Sequence, residues 1–98
     1  MGMLLRDELR KHRLQILEAA AASGARQVRV FGSVARGDEL AGSDVDFLVA
    51  LEPGRSLLDL ARLEVRLERL LGRRVDVVTE GSLQEPIRAT ALREAVSV

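Results

Sequence analysis

The chain of 98 residues has no cysteine, no tryptophan and no tyrosine, and Phe31 and Phe47 are its only aromatic residues. The absence of cysteine excludes disulfide bonds and thiolate metal sites. Without tryptophan or tyrosine, the chain lacks the side chains on which single-stranded nucleic acids most often stack their bases. Fifteen basic and fifteen acidic residues give a formal net charge of zero, so no overall positive field attracts a nucleic acid. We therefore expect no direct nucleic-acid partner.

The sequence also lacks any hydrophobic run that approaches membrane-spanning length. Its N-terminus carries charged residues from Arg6 onward and does not resemble a signal peptide, so we expect a cytoplasmic protein with no membrane partner. The length predicts one domain, residues 1–98, with a small core. Because 47% of the residues are hydrophobic and nearly all of these are aliphatic, that core should consist of leucine, valine and alanine.

Hydrophobic periodicity predicts the order helix, strand, strand, helix, strand, helix, which indicates an α+β fold with helices packed on a small sheet of at least three strands. The predicted helices are Leu4–Ala22, Leu57–Leu71 and Pro86–Ala95. The predicted strands are Gln27–Phe31, Asp44–Leu51 and Arg74–Thr79. The remaining segments are predicted as a turn-rich link, Val34–Gly42, and a loop, Glu80–Glu85.

Three aspartates lie on the second and third predicted strands. Side chains at positions i and i+2 of a strand point the same way, so Asp44 and Asp46 should share one face. Two carboxylates that close repel each other unless positive charge lies between them, and Mg²⁺ binds through such oxygen ligands. If the third strand lies beside the second, Asp76 joins the pair, and three carboxylates suffice for two metal ions and in-line phosphoryl displacement. Any one of these aspartates alone would more commonly be a surface residue.

A small turn, Gly32–Ser33, precedes the acidic pair. Gly32 has no Cβ, so its backbone can approach a ligand closely. Ser33 can offer its hydroxyl and backbone N–H to a phosphate, especially if a helical turn begins there. The alternative is an ordinary strand end with a capping serine, and the downstream acids favour the phosphate site. Arg36 could reach the same phosphate as a charged fork or remain a surface arginine, and the residues do not decide between the two.

The segments Gly32–Asp38 and Ser43–Phe47, followed by Asp76, resemble the signature of the minimal nucleotidyltransferases. These are small members of the DNA polymerase β-like nucleotidyltransferase superfamily. The resemblance implies a palm-like fold with a mixed β-sheet. It also implies a metal-dependent enzyme that transfers a nucleoside monophosphate, expected to be AMP from ATP, and that releases pyrophosphate.

The resemblance assigns a role to each residue of the predicted site. Gly32 and Ser33 would contact the triphosphate. Asp44 and Asp46 would bind metal, and two Mg²⁺ ions are the implied cofactors. Asp76 would bind the catalytic metal near the attacking hydroxyl, which also makes it the candidate for helping to deprotonate that hydroxyl.

The same resemblance implies a partner protein. Minimal nucleotidyltransferases are commonly paired with a HEPN-domain toxin, a ribonuclease, and can silence it by transferring AMP to one of its tyrosines. The chain is too short to add a sizeable acceptor-binding domain, which agrees with an acceptor brought by a partner. The alternative is a non-catalytic antitoxin that neutralises its partner by occlusion. Homo-oligomers and hetero-oligomers both remain compatible with the sequence, and no feature reads a particular base.

Two further surfaces bear on a partner. Hydrophobic residues of the first and last helices predict a docking region around Leu5, Leu9, Ile87 and Leu92. Arginines recur on one face of the middle helix, at Arg62, Arg66, Arg69 and Arg73. Because Glu64 and Glu68 interleave with them, we interpret that face as a solvated one of mixed charge.

Overall fold

The fold is a four-stranded mixed sheet with helices packed on it, given by a computed structural model that describes residues 5–37 and 44–98. The helices are α1 (Leu5–Lys11), α2 (Arg13–Ala22), α3 (Ser33–Arg36), α4 (Leu57–Leu71) and α5 (Ile87–Glu94). The strands are β1 (Ala25–Phe31), β2 (Val45–Leu51), β3 (Val75–Val78) and β4 (Val96–Ser97). The predicted α+β class is confirmed. Within the described ranges, no helix is long and apolar enough to span a membrane.

The strands lie in the order β3-β2-β1-β4. Strand β1 is antiparallel to both of its neighbours, whereas β2 and β3 are parallel, so the sheet is mixed. Helix α4 makes the crossover between the parallel pair, which is the usual way to connect two parallel strands. The beginnings of β2 and β3 therefore meet at one end of the sheet, and both carry aspartates.

Several predicted boundaries differ from the observed ones. The predicted helix Leu4–Ala22 is two helices that meet at His12, although the His12 N–H still donates to the Glu8 carbonyl and its own carbonyl accepts from Ile16. Strand β1 begins two residues earlier than predicted, and an irregularity in its register includes Gln27, whose φ is +53°. Leu4 and residues 38–43 lie outside the described residues, as does most of the predicted link after α3.

The sequence analysis missed two short elements. Strand β4 has only two residues, and it exists because Val96 pairs with Val30 and Ser97 pairs with Arg29 of β1. A strand of two residues is too short to show an alternating pattern in the sequence. Its hydrogen bonds come from a distant part of the chain. A single 3₁₀ turn, Glu80–Ser82, lies within the predicted loop.

The core is aliphatic, as predicted, and Phe47 is its only fully buried aromatic residue among those described. Alternate residues of β2 and β3 face α2 and α4 across this core. Its most deeply buried side chains are Ile16, Val34, Val45, Phe47, Leu48, Val49, Leu63 and Leu67. Leu9 is also buried, with 4% of its surface exposed, so the prediction that it docks a partner is wrong. The Leu5 side chain lies outside what the structure describes.

A capping box starts α4. The Ser56 hydroxyl accepts a hydrogen bond from the Leu58 N–H at 3.3 Å, and the Ser56 N–H donates to the Asp59 carboxylate at 2.9 Å. This reciprocal arrangement satisfies backbone donors that a helix start would otherwise leave without partners. Replacing Ser56 with alanine should therefore lower the free energy of unfolding by about 1 kcal/mol.

The same box gives a pH-dependent prediction for Asp59. The backbone hydrogen bond from Ser56 holds the pKa of Asp59 below its usual value of 3.8, and the positive charges of Arg55 and Arg62 act in the same direction. A depressed pKa contributes stability above the unfolded-state value, and that stability is lost as pH falls through the folded-state value. Asp59→Asn should therefore destabilise the fold near neutral pH, and urea titrations should show the difference shrinking below about pH 4. A difference that stays constant down to pH 2 would contradict the charged cap.

Candidate active site

Asp46 and Asp76 lie directly opposite each other on neighbouring strands. The parallel register pairs Val45 with Val75, Asp46 with Asp76 and Phe47 with Val77. Because side chains alternate along a strand, the two aspartates share the sheet face opposite to the buried valines. Asp46 is half-buried and Asp76 is exposed. The sheet thus brings together two carboxylates that are thirty positions apart in the chain.

Asp44 completes the acidic group from the position just before β2. Burial raises the pKa of Asp46, and the negative charges of Asp76 and then Asp44 raise it further, as does a hydrogen bond with Asp76. These causes show that the three carboxylates are electrostatically coupled. Negative charge concentrated this way is costly unless a proton or a cation offsets it.

The donor atoms are of the chemical type that binds a divalent cation. All three side chains offer carboxylate oxygens, the ligands that Mg²⁺ prefers, on a face that reaches solvent at Asp76. Within residues 5–37 and 44–98, however, no three acidic, histidine or cysteine side chains are already placed to hold one ion together. The arrangement is thus a pair of facing carboxylates with a third carboxylate nearby, and not a finished coordination shell.

Gly32 forms the wall beside Asp46. Phe31, the last residue of β1, pairs with Asp46, so the next residue turns directly past that carboxylate. The Gly32 backbone has φ +75° and ψ −148°, which side-chain-bearing residues rarely adopt. A Cβ at this position would lie 2.8 Å from the Asp46 Oδ2. Glycine is therefore required both by the backbone conformation and by the space that the carboxylate occupies.

The turn after Gly32 is a single short helix, α3, which begins at Ser33. Its first complete hydrogen bond runs from the Arg36 N–H to the Gly32 carbonyl at 3.1 Å, and Val34 anchors it in the core. The guanidinium of Arg6, on α1, donates to the Ala35 carbonyl at 3.0 Å and holds the far end of the turn. The sequence analysis missed this contact, because no local pattern links residues 29 positions apart.

Arg36 contacts the last helix. Its guanidinium forms an ion pair with the Glu94 carboxylate at 2.8 Å, and 48% of its side chain is exposed. A cleft of about 250 Å³ lies beside this pair and Gly32, and its wall is mainly apolar, from Phe31, Pro86, Ile87 and Ala91. The sequence contained no signal for Glu94, since its role depends on how α5 returns to the sheet.

Comparison with known proteins identifies the family of the chain. The nucleotidyltransferase domain family matches residues 9–98. The protein adenylyltransferase MntA of Thermococcus cleftensis is 43% identical over 102 residues, which cover 100% of both chains. A candidate protein adenylyltransferase of Methanocaldococcus jannaschii is 40% identical over 84 residues, covering 86% of this chain and 90% of its own.

Solved structures give the same result. The structure of a candidate minimal nucleotidyltransferase superposes with a TM-score of 0.86 at 52% identity, covering 99% of this chain and 98% of the other. A chain from a crystal structure of a toxin–antitoxin with AMP-PNP has a TM-score of 0.73 at 19% identity, covering 86% of this chain and 69% of its own. At that identity the second likeness concerns the fold alone.

Proposed function

The chain belongs to the nucleotidyltransferase domain family as one of its minimal members, and from this premise we propose that it transfers AMP from ATP to a hydroxyl of a partner protein. The observation that carries this proposal is the pairing of Asp46 with Asp76 beside Gly32. Carboxylates from two adjacent strands then lie together beside the turn that is proposed to accommodate the triphosphate. In this proposal residues 1–98 act as a single catalytic domain.

Each residue has a role in the proposed reaction. In this proposal Gly32 and Ser33 accommodate the triphosphate at the turn, and Arg36 contributes positive charge to it. Asp44, Asp46 and Asp76 would hold divalent cations, which would supply charge stabilisation to the α-phosphate and the leaving pyrophosphate. Asp76, the most exposed of the three aspartates, accepts the proton of the attacking hydroxyl. The bond from the hydroxyl oxygen to the α-phosphorus forms as the bond to the bridging oxygen of pyrophosphate breaks.

We propose a toxin of the HEPN class as the partner, with a tyrosine as the modified residue and the chain acting as its antitoxin. Support comes from MntA, which is named as a protein adenylyltransferase, and from the toxin–antitoxin structures that share the fold. The competing possibility, neutralisation by occlusion alone, requires no turnover of ATP.

Pyrophosphate release distinguishes the two possibilities. With ATP, Mg²⁺ and the HEPN-type protein present, wild-type chain should release pyrophosphate in proportion to the partner added. Without the partner, release should stay at background, because the acceptor is missing. A stable complex that neutralises the toxin but releases no pyrophosphate with Mg²⁺ or Mn²⁺ would favour occlusion.

Metal dependence can be tested on the chain alone. A ligand that binds only the folded state at about 100 times its Kd stabilises that state by about 2.7 kcal/mol. In a protein of this size, Mg²⁺ with ATP should therefore raise Tm by several degrees more than ATP alone. Asp46→Asn, which removes one of the proposed ligands, should lose this extra shift. An equal Tm with and without metal at millimolar concentrations would argue against the site.

A further inference from the structure

The outer face of α4 carries a line of exposed hydrophobic residues. Leu58, Ala61 and Val65 recur at helical spacing, and Leu58 and Val65 are 59% and 45% exposed. They lie opposite the buried residues Leu63 and Leu67, which pack on the sheet. Isolated exposed hydrophobic residues need no explanation, but a continuous row on one helix suggests contact with another protein.

Arginines border this row on one side. Arg62, Arg66 and Arg69 are all exposed, and none of them forms an ion pair with an acidic residue in the described part of the chain. A groove of about 560 Å³ continues the surface between the end of α2 and α4. The hydrophobic row and these arginines together are called the α4 surface.

Among the described residues, Glu64 and Glu68 form no ion pair with those arginines, contrary to the mixed-charge face that the sequence suggested, and of the acidic residues of α4 only Asp59, at its start, interacts with Arg62. Glu68 accepts a hydrogen bond from the Val75 N–H at 3.1 Å, and Glu64 accepts one from the Val77 N–H at 2.9 Å. Both glutamates thus turn sideways onto the exposed edge of β3. They satisfy backbone donors there and block strand addition by another chain. The outward face of α4 is left positively charged.

The α4 surface is separate from the carboxylates. Leu63 and Leu67 pack in the core with Val75 and Val77, the β3 residues that alternate with Asp76. Strand alternation therefore places α4 and the carboxylates on opposite faces of the sheet. A protein bound to α4 would leave the carboxylates open to a segment that reaches round the sheet.

We propose that the α4 surface docks the partner through an amphipathic segment whose apolar seam is bordered by aspartate or glutamate residues. This inference rests on the proposed function, since the partner is the protein that accepts AMP. Charge complementarity selects that occupant, because an acidic border would pair with Arg62, Arg66 and Arg69. A second copy of this chain is disfavoured, because matching α4 surfaces would place arginines against arginines.

Charge reversal tests the surface in the complex of full-length chain and HEPN-type protein. Arg66→Glu with Arg69→Glu should raise the Kd and the KM for the partner by about tenfold or more. The kcat and the Mg²⁺–ATP-induced Tm shift should stay unchanged, because the carboxylate face is untouched. Arg62 is kept, since its charge supports the Asp59 cap. Arg10→Glu, at an exposed position of α1, is the control for charge reversal elsewhere on the surface and should change neither constant.

A second pair of variants separates charge from apolar contact. Val65→Asp should weaken binding about tenfold, whereas Leu92→Asp, at an exposed position of α5 that the sequence favoured, should not. Arg66→Gln with Arg69→Gln keeps helix-forming residues and should give a smaller loss, with binding that depends less on salt than in wild type. Circular dichroism of each variant confirms that it is folded before binding is measured.

The outcomes separate this inference from the proposed function. If the α4 variants bind and modify the partner as wild type does, or if only Leu92→Asp weakens binding, the surface is wrong and the enzyme stands. If wild type binds through α4 but adds no AMP, the enzyme is wrong and the surface stands. If wild type forms no complex with the HEPN-type protein, both are overturned.

Discussion

Replacing Asp46 with asparagine should nearly abolish AMP transfer while making the ligand-free protein more stable. Asparagine keeps the size of the side chain but removes a charge that burial and two neighbouring carboxylates disfavour. These causes raise the pKa of Asp46, so its ionised form costs folding free energy at neutral pH. That cost develops as pH rises from the unfolded-state value of 3.8 through the raised folded-state value. The substitution should remove it.

The activity should move in the opposite direction. Loss of one electrostatic group from an active site typically lowers kcat by about 10²–10³-fold, and Asp46 is proposed to hold the cation as well. Transfer assays and urea titrations on the same preparation measure both effects. Asp59→Asn is the matched control, because the same chemical change there should lower stability and leave transfer unchanged. Near-normal transfer by Asp46→Asn would remove Asp46 from the catalytic group.

Replacing either of the other two carboxylates should lower AMP transfer as the Asp46 substitution does, but should affect stability differently. Asp44→Asn and Asp76→Asn should each lower transfer by at least about 10²-fold, since each is proposed to act directly on metal or hydroxyl. Asp76 is exposed, so solvent screens its charge, and its removal should raise stability less than the removal of Asp46, which burial also disfavours. A normal rate in either variant would reassign that residue to a structural role.

Gly32→Ala should weaken ATP binding by at least about tenfold, since small displacements at a reacting site have large effects. Its added Cβ would lie 2.8 Å from Asp46 Oδ2, on a backbone with φ +75° that alanine rarely adopts. Either the carboxylate or the turn must move, and both are proposed to contact the triphosphate and its metal. Calorimetry with ATP and Mg²⁺ measures the loss.

The effect of backbone strain on ATP binding must be separated from the effect of contact between the Gly32 turn and the nucleotide. Gly72→Ala provides the control, because Gly72 has φ +66° but no heavy atom within 4 Å of an added Cβ. Both substitutions should destabilise the fold, by about 1–3 kcal/mol for the unfavourable conformation. Only Gly32→Ala should change the affinity for ATP. Equal ATP affinities in the two variants would mean that the Gly32 turn does not contact the nucleotide.

The sequence predicted those parts of the fold that local periodicity determines. Helix α4 has the observed ends, Leu57 and Leu71, because a capping serine, an apolar stripe and a terminal glycine all agree on them. The pairing of Asp46 with Asp76 requires β3 to lie beside β2. The sequence alone did not determine whether these two strands are neighbours. Strand alternation then placed both carboxylates on one face once β3 proved to lie beside β2.

The missed features all depend on contacts between distant residues. Strand β4 exists through its pairing with β1, and the Arg36–Glu94 ion pair joins residues 58 positions apart. Glu64 and Glu68 resemble ordinary surface acids in the sequence. Their side chains turn toward the edge of β3 because the backbone donors there lie within hydrogen-bond distance. This long-range effect changed the interpretation of α4 from a face of mixed charge to a positively charged one.

The intact mass of the partner tests the central claim most directly. The HEPN-type protein would be incubated with ATP, Mg²⁺ and either wild-type chain or its Asp44→Asn variant, and then weighed by mass spectrometry. We expect wild type to add the mass of one or more adenylyl groups to a hydroxyl-bearing residue, expected to be tyrosine, and the variant to add none. An unchanged partner mass in a stable wild-type complex, with Mg²⁺ and with Mn²⁺, would contradict the claim.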